Sequence, residues 1–128
     1  MNPAEGLSSP KRVDHLVALR NFEQQKMEIT AFPQYKELLH STDMSERYWL
    51  ARTLAYSHRP ESYDHLLELL SDSEPIVRCQ ALYALGQRVE ARAIEPILAH
   101  IISSDHWYVQ WYGYGALRTL GWHQEPLH

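Results

Sequence analysis

Apolar residues recur along this chain at helical spacing. Val77, Ala81, Ala84 and Leu85 fall three to four residues apart and predict an amphipathic helix. Ile94, Ile97, Leu98, Ile101 and Ile102 draw a second stripe shortly after it. In the stretch before, Tyr63, Leu66, Leu67 and Leu70 follow Pro60, a residue suited to the first turn of a helix. Asp43 with Glu46 three residues on reads as a helix start with Asp as N-cap. Asp72 or Ser73, and Ser104 or Asp105, can open the later helices. Gly86 is placed as a left-handed C-cap. No alternating strand pattern competes.

The stripes repeat. Leu54, Leu85 and Leu117 correspond at spacings of 31 and 32 residues, Arg47 falls opposite Arg78, and Val77 opposite Val109. Each unit reads as two helices, and neither can bury its stripe alone. Stacking successive pairs buries one continuous core. The units are 43–71, 72–104 and 105–122. Val13, Leu16, Val17 and Leu19, continuing towards Phe22, predict an earlier helix. Phe32, Tyr35, Leu38 and Leu39 predict its partner, so that 11–42 forms a divergent capping pair. Residues 1–10 read as a flexible tail, and 123–128 as a C-terminal tail. The helix ending at Gly121-Trp122 has no second helix after it. Either its aromatic residues cap the array or something else covers them.

Charge narrows the function. Sixteen acidic residues against twelve basic give a net charge of -4, which argues against nucleic acid as a partner. Eight histidines make the surface charge pH-sensitive. With Cys79 as the only cysteine, no disulfide or cysteine-based metal cluster forms within one chain. No apolar run is long enough to insert in a membrane. A cytoplasmic location and no cofactor are the expectations.

Candidate chemistry is sparse. No histidines show metal-ligand spacing, although His40, His65 and His100 fall on successive second helices. Cys79, on the outer side of its helix pattern, reads as a packing residue. Glu61 with Asp64, and Asp72 with Glu74, sit at helix starts, where negative charge offsets the helix dipole.

The residues Asp72, Val77, Arg78, Ala81, Ala84, Leu85 and Gly86, then Ala93 to Leu98, resemble the HEAT repeat, in particular the short bacterial-type variant named after phycobilisome lyases. Val109, Gln110, Gly113, Ala116 and Leu117 follow the same frame, and the resemblance covers 43–122, with 11–42 a weaker extension. It implies an all-α fold, an α-α superhelix of about three to four helix pairs, whose commonest role is to hold a protein partner. The family also includes tetrapyrrole-attachment lyases, DNA-repair glycosylases and a di-iron hydroxylase. No His here is followed by Glu, the dipeptide on which the hydroxylase relies, and no basic face matches the repair enzymes. Gln110 replaces the arginine of Arg78, which interrupts any Asp–Arg ladder in the last unit.

The unusual feature is aromatic. Trp107, Tyr108, Trp111, Tyr112 and Tyr114 crowd one helix, while Val109, Gly113, Ala116 and Leu117 already fill its core stripe. By repeat alignment Trp111 matches Cys79, Tyr112 matches Gln80 and Tyr114 matches Leu82. Tyr48 and Trp49 occupy the matching positions in the 43–71 unit, which predicts an aromatic strip along one edge. Such rings mark protein interfaces. The other reading is that they cap the end of the array. The leading expectation is a non-catalytic scaffold that docks a protein partner, with a second copy of the chain as one occupant of the open end. The alternative is a bilin-lyase-like protein that holds a tetrapyrrole.

Overall fold

A computed structural model describes residues 3–122. Among them the chain forms eight α-helices and no strand. The helices are α1 (Pro3–Ser8), α2 (Arg12–Gln24), α3 (Tyr35–Leu39), α4 (Met44–Leu54), α5 (Pro60–Leu69), α6 (Pro75–Gln87), α7 (Ile94–Ser103) and α8 (Trp107–Thr119). Short 3-10 turns at Ile29–Ala31 and Ala91–Ala93 lead into α3 and α7. The first helices α2, α4, α6 and α8 pack on one another in sequence order, and α5 and α7 lie against the α6 and α8 that follow them. This is the α-α superhelix, with three complete pairs and a further first helix.

The stack is held by a buried seam. Leu19, Phe22, Leu50, Leu54, Leu82, Leu85 and Leu117 from the first helices, with Leu66 and Ile97 from the second, have essentially no exposure. Each such side chain contributes about 2 kcal/mol of transfer free energy. Gly86 lies at a close crossing. A Cβ there would come 3.0 Å from the Ala116 backbone, so α6 and α8 touch through small residues. Gly86 is therefore inside the helix and not its C-cap. The left-handed residue falls three positions later, at Val89 (φ 55). Gly121 (φ 87) is its counterpart 32 residues on and ends α8, with Trp122 N–H donating to Leu117 O at 2.9 Å.

A polar motif fixes the register of every unit. Two residues before each first-helix N-cap, an oxygen-bearing side chain accepts the N–H of the cap. Ser9 accepts from Lys11 (3.1 Å), Ser41 from Asp43 (3.0 Å), Asp72 from Glu74 (2.9 Å) and Ser104 from His106 (3.2 Å). Six residues after each of these, a long polar side chain donates back to that residue's carbonyl. His15 reaches Ser9, Arg47 reaches Ser41, Arg78 reaches Asp72 and Gln110 reaches Ser104. The four units thus recur at 32, 31 and 32 residues. The first pair, divergent in sequence, shares the same frame.

Several expectations are corrected. The segment 1–10, expected to be a flexible tail, carries α1, with Leu7 buried and Gly6 pressed on Ala18, where a Cβ would approach Ala18 Cβ to 2.7 Å. On α2 the buried stripe is Ala18, Leu19 and Phe22, while Val13 and Val17 are exposed. Ile102 faces solvent, because α7 buries only Ile97 and Ile101. Cys79 is buried, not on an outer side, and lies two turns before Gly86, the residue by which α6 meets Ala116 of α8. Asp43 caps α4 through Ser45 N–H at 2.8 Å, but Glu46 turns away from the cap to His15. The expected tail at 123–128 lies outside the described residues. No described helix is long and apolar enough to cross a membrane.

Candidate functional site

The predicted aromatic residues fall into three places, set by their positions on the helical wheel. Tyr48 and Tyr112 point to the same face of the stacked first helices and line one groove of about 350 Å³ with Glu23, Arg52, Tyr56, Gln80 and Tyr83. A second hollow of about 340 Å³ continues it along α6 and α8, lined by Tyr83, Gln87, Trp111, Tyr112, Gly115, Ala116 and Thr119. The two share Tyr83 and Tyr112, so one surface runs from the end of α2 to α8. The strip expected along one edge is this groove, and three of its rings, Tyr48, Trp111 and Tyr112, come from the predicted set.

Trp49 lies behind the groove, partly buried against the core, with the Arg52 guanidinium 4.7 Å from its ring centre. Trp107, Trp111 and Tyr114 recur at i, i+4 and i+7 and form an outward stripe on α8, with 73%, 61% and 44% exposure. Tyr114 also lies against Trp122, with ring centres 6.5 Å apart. Tyr108 is half-buried beside His106 and Trp107 at the start of α8.

The groove carries one charge pair. Arg52 grips Glu23 with the two donors of one guanidinium edge, Nε at 3.0 and Nη2 at 2.7 Å, and donates from Nη1 to the Tyr48 hydroxyl at 3.1 Å. The Glu23 hydrogen bonds hold the guanidinium proton more firmly than usual, against the opposing effect of burial. With these charges matched, what the groove offers a ligand is ring faces, phenol hydroxyls and the Gln80 and Gln87 amides. Lys26 lies at the rim with its ammonium 5.8 Å from the Tyr56 ring centre. Tyr56, Gln80 and Tyr83 were missed from the sequence. Tyr83 carries a signal of a kind, since it sits at the register of Arg52 and Gly115, just outside the core stripe.

Elsewhere polar groups serve the fold. The three histidines aligned on second helices are held apart. His40 faces Glu68 at 3.4 Å, His65 bonds the Tyr35 hydroxyl at 2.8 Å, and His100 bonds Pro96 O at 2.8 Å and Ser71 at 3.2 Å. Burial lowers the His65 pKa below the ordinary imidazole value. Among the described residues no three His, Cys, Asp or Glu side chains are placed to hold a metal ion. Burial pushes the Cys79 thiol up to about 11, which leaves it un-ionised at neutral pH and a poor nucleophile. Asp72 holds Arg47 through both carboxylate oxygens, at 2.7 and 3.1 Å, which ties one unit to the next.

Comparison with known proteins agrees with this architecture. No curated protein matches the chain. The family model described as HEAT repeats matches residues 33–118, from just before α3 to the last turn of α8. Repeats of this class generally mediate protein–protein interaction. With two thirds of its length matched and its helix pairs stacked in order, the chain belongs to the HEAT-repeat family.

Proposed function

We propose that this chain is a non-catalytic docking module, and that the first-helix groove from Tyr48 to Trp111 receives a segment of a protein partner. The observation that carries the reading is the continuity of the groove. Rings from three successive first helices line adjoining hollows, with the only charges in the larger hollow paired to each other. Tyr and Trp bury large area at low side-chain entropy cost and dominate binding energy where they cluster. A surface of this kind suits a segment that brings apolar side chains and backbone hydrogen-bonding groups rather than a strong charge.

A photo-crosslinking residue at Gln87, which lines the groove and is exposed, would capture the segment and map it. Affinity for the captured partner is then measured with Tyr83→Ala plus Tyr112→Ala, and with Trp107→Ala as a control outside the groove. The groove variant should bind about 30-fold more weakly, and the control should bind like wild type. Equal affinity in the groove variant, with helicity intact by circular dichroism, would rule the groove out as the docking surface.

A further inference from the structure

A second site, independent of the aromatic groove, emerges from comparing Arg47 with Arg78. The two arginines hold the same place in successive units and begin with the same contact. In each, Nη1 donates to the carbonyl six residues back, Ser41 O for Arg47 and Asp72 O for Arg78, both at 2.7 Å. They then differ. The Nε and Nη2 edge of Arg47 closes on the Asp72 carboxylate, the side chain that opens the next unit. The side chain at that position for Arg78 is Ser104. Its hydroxyl accepts the His106 N–H, as the Asp72 carboxylate accepts the Glu74 N–H, but it is too short and uncharged to reach the guanidinium as a carboxylate does. Among the described residues the Nε and Nη2 edge of Arg78 makes no hydrogen bond and no ion pair. Arg78 lines a cleft of about 210 Å³ together with Ser71, Asp72, His100, Ser103, Ser104, Leu70, Leu82 and Val109.

We infer that this cleft binds a carboxylate, seated on the Nε and Nη2 edge of Arg78 where the preceding unit carries its own aspartate. A guanidinium edge is a planar pair of donors that matches the two oxygens of a carboxylate, and the Arg47–Asp72 pair shows that geometry within this fold. The Asp72 carboxylate does not compete for Arg78, because Arg47 and Glu74 N–H hold both its oxygens. Ser104 retains a hydroxyl proton to donate to the incoming group.

The test follows the side-chain Nε–Hε resonance of Arg78 in the full chain, with that of Arg47 as an internal reference already holding its carboxylate. The probes are acetate, a capped Gly-Asp-Gly peptide and inorganic phosphate. Acetate or the peptide should move the Arg78 resonance saturably and leave Arg47 in place. Tighter binding of the peptide assigns the carboxylate to an acidic side chain of a partner, and equal binding assigns it to a free acid. The variant Ser104→Asp supplies the aspartate from within the chain, so it should abolish the response while keeping the fold. The inference fails if neither carboxylate moves Arg78, if Ser104→Asp responds as wild type does, or if phosphate saturates the site and the carboxylates do not.

Discussion

At one end of the stack α1 lies against α2 as α7 lies against α8. Gly6 meets Ala18, and Ile101 meets Gly113 one second-helix position before the last first helix. Ala18 and Gly113 occupy the same register, so the short α1 stands where the second helix of a preceding unit would stand. At the other end α8 turns outward the face by which each earlier first helix packs on the next. The equivalent residues Leu19, Ala51 and Leu82 are fully buried, and Tyr114 at that register is 44% exposed. The Cys79 position, buried on α6, is Trp111 on α8 at 61%. The repeat therefore dictates which face needs cover, and this face is buried on the first helices that a neighbour follows but carries the exposed rings of Trp111 and Tyr114 on α8, which no first helix follows among the described residues.

Truncating one register at two places separates the covered face from the open one. Leu82→Ala empties a site with no exposure and should cost about 3 kcal/mol in urea denaturation. Tyr114→Ala removes a larger side chain from a face that no described helix covers and should cost about 0.5 kcal/mol or less. Equal losses would mean that the α8 face is covered in solution. A loss at Tyr114 that grows with protein concentration would identify the cover as a second copy.

The covered end predicts the next largest effect. Leu7 is the one large apolar side chain of α1 and is 4% exposed. Leu7→Ala should cost about 2 kcal/mol, at the low end for a buried leucine because a terminal helix can yield locally. Amide exchange should show residues 3–8 losing protection and α6 keeping it. If α6 loses protection together with α1, the end behaves as part of the central cooperative unit and not as a separate lid.

These contrasts also show why some of the molecule was legible in sequence and some was not. The helix pairs and their order could be read because the positions of Ala81 and Leu85 are apolar and buried in every unit, as Ala18, Leu50 and Gly113 and as Phe22, Leu54 and Leu117, at a helical period. The phase of α2 was misread because Val13 and Val17 are as apolar as a core stripe. Burial there follows the smaller Ala18 and the later Leu19 and Phe22, a choice made by the neighbouring helices. α1 escaped notice because a six-residue helix with one large apolar side chain has no periodicity, and its fit rests on Gly6 meeting Ala18. The aromatic strip was anticipated from Tyr48 and Trp111. Its middle, Tyr83 and Gln80, is defined only when three helices are brought side by side. The shared frame of the first and last units was hidden by chemistry, since His15 and Gln110 differ in identity from Arg47 and Arg78 and match them only in donating to a carbonyl six residues back.

That last equivalence yields the smallest and most specific effect, a pH dependence confined to the covered end. His15 stands where the next two units have arginine, and its two ring nitrogens face two acceptors, the Glu46 carboxylate at 3.0 Å and the Ser9 carbonyl. Both contacts are satisfied together only by the doubly protonated ring. Burial works against that charge, but the hydrogen bonds to Glu46 and Ser9, helped by the negative charges of Glu46 and Asp14, outweigh it and raise the pKa above 6.5. A histidine whose folded pKa exceeds its unfolded value contributes stability that is complete below the unfolded value and is lost as pH rises through the folded one. His65 has the opposite sense. Its pKa is lowered by burial beside Tyr35, so its contribution is present above the ordinary value and lost as pH falls through the folded one. The two are separated by His15→Arg, which keeps a donor at the position and removes the titration. Subtracting the melting temperature of this variant from that of wild type cancels His65 and the other groups. The difference should decline as pH rises above 6.5, and amide protection in α1 and the start of α2 should decline with it. A difference that stays level across about pH 6 to 9 would show that His15 holds Ser9 and Glu46 without its second proton, and that the covered end is no more sensitive to pH than the arginine-anchored units beside it.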